Sequence, residues 1–221
     1  MSEMSLTILI GSALSIGFIH TLIGPDHYLP FIMIGKARKW SVSKTMLVTL
    51  ACGLGHVLSS IAIGAIGIGV GSAVGKLEVL ESIRGDIASY ALIAFGLIYG
   101  IWGLWRGWKG HSHIHLPSGK HLNMSTARSV SFWSLFIIFV LGPCEPLIPL
   151  LMFPAVSHNW YGVLLVTLAF GTATLLTMSA VVYMGIKGLS IINTRYLERY
   201  IHAVAGGIIA FSGMAIKIFG I

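Results

Sequence analysis

The sequence predicts an all-α, polytopic membrane protein: six transmembrane helices arranged as a 3+3 inverted repeat, with helices 1 and 4 broken. Three observations carry that prediction. Apolar runs of membrane-spanning length fill the chain, its charges sit between those runs, and two motifs recur at one offset. Of 221 residues, 56% are hydrophobic and only 10% charged, against about 25% charged in a soluble domain.

The runs lie at about 5–35, 45–74, 87–106, 131–156, 160–184 and 200–220. Each approaches the roughly 20 residues that cross a hydrocarbon core about 30 Å thick. The first and fourth are interrupted by Gly24-Pro25 and Gly142-Pro143. Met1 to Ser5 carries Glu3 and no basic stretch, so the first run is expected to be retained as a span and not removed as a signal peptide. Cys52 and Cys144 both fall inside apolar runs, which indicates neither a disulfide framework nor a zinc knuckle.

The connections set an expected orientation. Segments 36–44, 106–130 and 185–199 are basic, through residues such as Arg38, Lys39, Arg106, Arg128, Lys187 and Arg199. They alternate with 75–86, where Glu78, Glu81 and Asp86 outnumber Lys76 and Arg84, and with 156–160, which has no Lys or Arg. The positive-inside rule then places the basic loops in the cytoplasm and both termini outside a multi-pass cytoplasmic membrane protein. Lys217, near a helix end, can snorkel to the interface. The net charge of +7 reflects this topology and implies no nucleic-acid partner, because the basic residues form no stripe. The lipid bilayer is the expected environment.

The two halves of the chain resemble each other. "IGPDHYLPFIM" (23–33) resembles "LGPCEPLIPLL" (141–151), and "VTLACG" (48–53) resembles "VTLAFG" (166–171), both at an offset of 118. One transmembrane domain, 1–221, then contains repeat 1 (about 5–106), a His-rich cytoplasmic loop (about 107–130) and repeat 2 (about 131–221). Three spans per half force the second half to be inverted. That architecture is common among secondary transporters, where broken helices carry the substrate site near the midplane.

Titratable groups inside a span are expensive and mark function. The first break presents His20, Asp26 and His27, span 2 presents His56, and the second break presents Cys144 and Glu145. In the repeat Asp26 corresponds to Cys144, His27 to Glu145, and His56 to Thr174. Imidazole, carboxylate and thiolate together suit a transition-metal dication, so these six residues are the expected metal ligands. The loop "HSHIHLPSGKH" adds His111, His113, His115 and His121 as a candidate metal-capture tract.

A His followed by "GPDH" (24–27), then "GLGH" (53–56) and "GPCEPLIPLL" (142–151), resembles the urease-accessory-like or sulfite-exporter-like membrane proteins. These are relatives of the nickel/cobalt transporters within the lysine-exporter superfamily. The resemblance implies His20, Asp26, His27 and His56 as ligands. The expectation is therefore a secondary transporter of a divalent transition metal, Ni²⁺ or Co²⁺ first, working by alternating access, with no prosthetic group and no enzymatic activity. Oligomeric and metallochaperone partners are left open.

Two other readings stand beside it. A sulfite, sulfur-oxyanion or organosulfur exporter is the second, disfavoured because no Arg or Lys is expected near the breaks to hold an anion. The third is a transmembrane thiol–disulfide electron carrier. Such carriers in this superfamily have "PC" at both breaks, whereas here the first break reads "PD" and Cys52 would have to serve with Cys144.

Overall fold

In an apolar solvent the backbone must satisfy its own hydrogen bonds, and the α-helix does so within one segment. The computed structural model accordingly holds α-helices, one 3-10 turn and no strand among the described residues, which are 3–69, 74–108, 124–142, 144, 146–191 and 199–219. The elements are α1 (Glu3–Ile23), the 3-10 turn (Pro25–His27), α2 (Leu29–Ala37), α3 (Val42–Gly69), α4 (Val74–Trp108), α5 (Met124–Leu141), α6 (Leu147–Val156), α7 (Trp160–Ile191) and α8 (Ile201–Phe219).

Among the described residues, five segments are long and apolar enough to cross a membrane: Met4–Ile23, Val42–Gly67, Lys76–Trp108, Trp160–Ser190 and Ile201–Ile218. This is a membrane protein. The expected fourth span, 131–156, is not one helix. It divides into α5 and α6, whose apolar parts are 132–141 and 147–156. The expected first span divides in the same way into α1 and α2. Proline explains both divisions, because it lacks an N–H donor and its ring clashes with the preceding turn.

One expected connection is also helical. Residues 75–86, read from sequence as an external loop, form the start of α4. Glu81 and Arg84 there are buried, at 0% and 9% exposure. Nothing in that stretch breaks a helix, and the two charges lie one turn apart, where they pair.

The long helices pack through small residues. α4 runs along α8, and a side chain at Gly206 would overlap the backbone of Gly100, as one at Gly96 would overlap Ala210. Close approach of this kind drives association where lipid offers no hydrophobic gain. α1 packs on α7 at Gly17, where a Cβ would stand 3.0 Å from the Phe170 carbonyl oxygen. Two apolar clusters result. One contains Phe31, Ile34, Cys52, Leu135 and Ile209; the other contains Cys144, Leu147, Val166 and Phe170. The polar centre lies between α1, α3 and the two breaks.

Candidate functional site

The first break builds half of the centre. α1 ends as the Gly24 N–H donates to the His20 carbonyl at 3.0 Å, and Pro25 starts the 3-10 turn. That tight turn swings His27 back under the last turn of α1, so the His20 and His27 rings meet edge to face at 4.9 Å. Glycine is required here, because a Cβ at Gly24 would stand 2.6 Å from His27 Nδ1 and 2.9 Å from Asp26 Oδ1. His56 arrives from α3, its ring centroid 5.2 Å from that of His27.

His27 and His56 are held alike, each through Nδ1. His27 Nδ1 lies 3.0 Å from Asp26 Oδ1 and 3.2 Å from the Gly24 carbonyl oxygen. His56 Nδ1 lies 3.2 Å from the Phe139 carbonyl oxygen. A carbonyl or carboxylate oxygen only accepts, so Nδ1–H is the donor in both rings and the Nε2 lone pair is left over. Nε2 of His20, His27 and His56 are each buried without a hydrogen-bond partner. One nitrogen from each of the three rings lies within 4.8 Å of the others. A donor on one ring nitrogen held by a carboxylate or carbonyl, with the other nitrogen free, is the usual support for a metal-binding histidine. The donors fit a transition-metal ion such as zinc or copper. Tetrahedral coordination at about 2.0–2.1 Å would draw them closer together.

The second break is held by charges that the sequence reading placed in a loop. Gly142 N–H donates to the Phe139 carbonyl at 3.1 Å, and the helix resumes with Leu147 N–H on the Cys144 carbonyl at 2.9 Å. Between them, Arg84 donates to the carbonyls of Val140 at 2.8 Å and Gly142 at 3.2 Å. Glu81 accepts the Cys144 N–H at 3.0 Å, and the Glu81 and Arg84 side chains pair directly. Ser59 and Ser60 on α3 complete the network. Backbone groups freed by Gly-Pro are thus satisfied by a buried ion pair. The expectation that no Arg or Lys stands near a break is corrected by Arg84. Its place on an acidic, amphipathic-looking segment gave no sign of burial.

Of the expected site residues, His20, Asp26, His27 and His56 come together. Cys144 is fully buried in an apolar cluster at the second break, outside the three-histidine group. Cys52, one helical turn before His56, is buried in the other cluster, and both thiols are free. Thr174, the expected counterpart of His56, is fully buried with its hydroxyl oxygen unpartnered. Pro143, Glu145 and the loop histidines 111, 113, 115 and 121 lie outside the described residues. A cavity of about 450 Å³ opens beside the centre, lined by His20, Asp26, His27 and His56 together with Asp86 and Lys217.

Comparison with known proteins places the chain. No curated protein and no solved structure matches it. The family described as the cytochrome c biogenesis protein transmembrane region matches residues 29–215. That match corrects two expectations: the urease-accessory-like and sulfite-exporter-like resemblance is not supported, and the reading as a nickel or cobalt transporter is overturned in favour of the third reading, thiol–disulfide electron transfer. The error has a physical source. Imidazole and carboxylate side chains report which ion a site accepts, and say nothing of whether that ion crosses the membrane. With the match extending over most of its length, the chain belongs to the cytochrome c biogenesis protein transmembrane region family.

Proposed function

We propose that this protein passes reducing equivalents across the membrane by thiol–disulfide exchange, in the service of cytochrome c biogenesis. The observation that carries the reading is Cys144, a buried thiol at the break of an apolar segment in a chain of this family. The balanced sequence needs a second thiol and two protein partners of stated chemistry. The Cys144 thiolate attacks a disulfide on an acceptor protein, forming a mixed disulfide and releasing one acceptor thiol. Cys52 then attacks the Cys144 sulfur, releasing the second acceptor thiol and leaving a Cys52–Cys144 disulfide. A dithiol protein on the other face reduces that disulfide and becomes oxidised itself. Two electrons and two protons pass from donor to acceptor.

Because Cys52 and Cys144 sit in separate clusters, the cycle requires the α5–α6 break to shift against α3. The architecture we infer for that motion is the 3+3 inverted repeat in the cytoplasmic membrane, both termini outside. It is supported by the matching division of α1 from α2 and α5 from α6 at Gly-Pro. Proteoliposomes enclosing an oxidised, disulfide-reporting fluorescent protein test the cycle when a reduced thioredoxin-type protein is added outside. The reporter is expected to be reduced with the intact protein and to stay oxidised with Cys144→Ser. Reduction by a Cys52→Ser/Cys144→Ser variant, or none by the intact protein, overturns the reading.

A second reading concerns the histidines, which thiol exchange leaves unused. The three unpartnered Nε2 atoms, on rings that each bring one nitrogen within 4.8 Å of the others, favour a resident transition-metal ion on His20, His27 and His56, with Asp26 orienting His27. Such an ion would supply Lewis acidity or one-electron redox chemistry at the histidine centre.

A further inference from the structure

The cavity beside the three histidines has a polarity and a direction. Its deep end is formed by His27 and His56, each 3% exposed. Its shallow end is formed by Asp86 and Lys217, whose side chains are 53% and 36% exposed and pair across α4 and α8. Along one wall runs α4, whose Ser82, Gly85, Asp86 and Ser89 lead from the exposed mouth towards the buried Leu92. These positions recur at three and four residues, on one side of the helix. Apart from Leu92, none carries a bulky apolar side chain, so the stretch from Ser82 to Ser89 leaves space and offers hydroxyl oxygens. Asp26 adds a second carboxylate at the deep end, and Lys217 is the one cation among the described lining residues.

We infer that this cavity is an access chamber for a hydrated cation, leading from one face to the histidine centre and guarded by the Lys217–Asp86 pair. The face is the one that carries the start of α4 and the end of α8. Lys217 acts as a tethered cation on Asp86, and an arriving cation displaces it. The chamber reaches the histidines from that face and loads the centre from it. This inference builds on the second reading above but concerns only access, and it is tested by a probe that requires no metal binding.

Ser89→Cys, inside the chamber, and Ser82→Cys, at its exposed mouth, are introduced into the intact chain and reconstituted in vesicles of known orientation. Membrane-impermeant methanethiosulfonates, one trimethylammonium and one sulfonate, are applied to each face, and labelling at each position is read by peptide mass spectrometry. The expected result is faster labelling by the cationic reagent, from the α4-start face only. Lys217→Gln is expected to raise that rate by about three- to fivefold, the scale of an exposed ion pair, whereas Asp86→Asn removes the preference for the cationic reagent. Labelling from the opposite face, equal rates for the two reagents, or no response to Lys217→Gln overturns the chamber. Co²⁺ binding to the same preparations, followed by absorbance, separates failure of the chamber from failure of the metal site.

Discussion

His27 and Asp26 are neighbours in sequence that also bond through their side chains, Nδ1 to Oδ1 at 3.0 Å. The contact is made within the short 3-10 turn that begins at Pro25, where the chain leaves the path of α1. The carboxylate fixes which nitrogen of His27 is free. Asp26→Ala is therefore expected to weaken Co²⁺ binding by about 10–100-fold, the scale of losing an outer-shell partner. Asp26→Asn, which keeps an acceptor oxygen but loses the charge, weakens it less. Optical titration of the purified protein ranks the two.

Gly24→Ala tests the turn itself. A methyl at that position meets His27 Nδ1 and Asp26 Oδ1, so the imidazole must move and its bond to Asp26 must break. Metal binding is expected to fall as far as in Asp26→Ala, while helix content by circular dichroism stays the same. Unchanged Co²⁺ affinity in this variant counts against the orientation assigned to His27.

The Glu81–Arg84 pair gives a stability prediction with an internal control. Each residue answers both its partner and the freed backbone of the second break. Glu81→Ala or Arg84→Ala alone leaves a buried charge unpaired and is expected to cost about 3–5 kcal/mol. Glu81→Gln/Arg84→Met, which leaves no charge and keeps an acceptor for the Cys144 N–H, recovers part of that loss. Unfolding in mixed micelles measures all three, and equal stability of the single and double variants contradicts the pairing.

Packing of α4 on α8 predicts opposite outcomes for adjacent glycines. Gly206→Ala drives a methyl into the Gly100 backbone, whereas a Cβ at Gly207 meets nothing within 4 Å. Gly206→Ala is expected to destabilise by about 1–3 kcal/mol, as overpacking does, and Gly207→Ala to be neutral or slightly stabilising. The same micelle assay decides it.

Much of this was legible from residues alone. Composition and run length marked a helical membrane protein, because only helices and closed barrels satisfy a backbone in lipid, and the Gly-Pro pairs located both interruptions. The grouping of His20, Asp26, His27 and His56 followed from the rarity of titratable side chains in apolar runs. What sequence could not supply was the partnership of distant groups. Glu81 and Arg84 looked like a solvated stretch because charge pattern says nothing of what a helix face touches. Only the packed bundle brings that stretch against the second break, where unsatisfied carbonyls and an N–H make burial of the pair favourable. The tertiary structure also places Cys144 outside the three-histidine group, since past a proline break the chain direction depends on packing and not on helical phase. Local chemistry is written in the order of residues; which side chain answers which backbone group is decided by long-range contact alone.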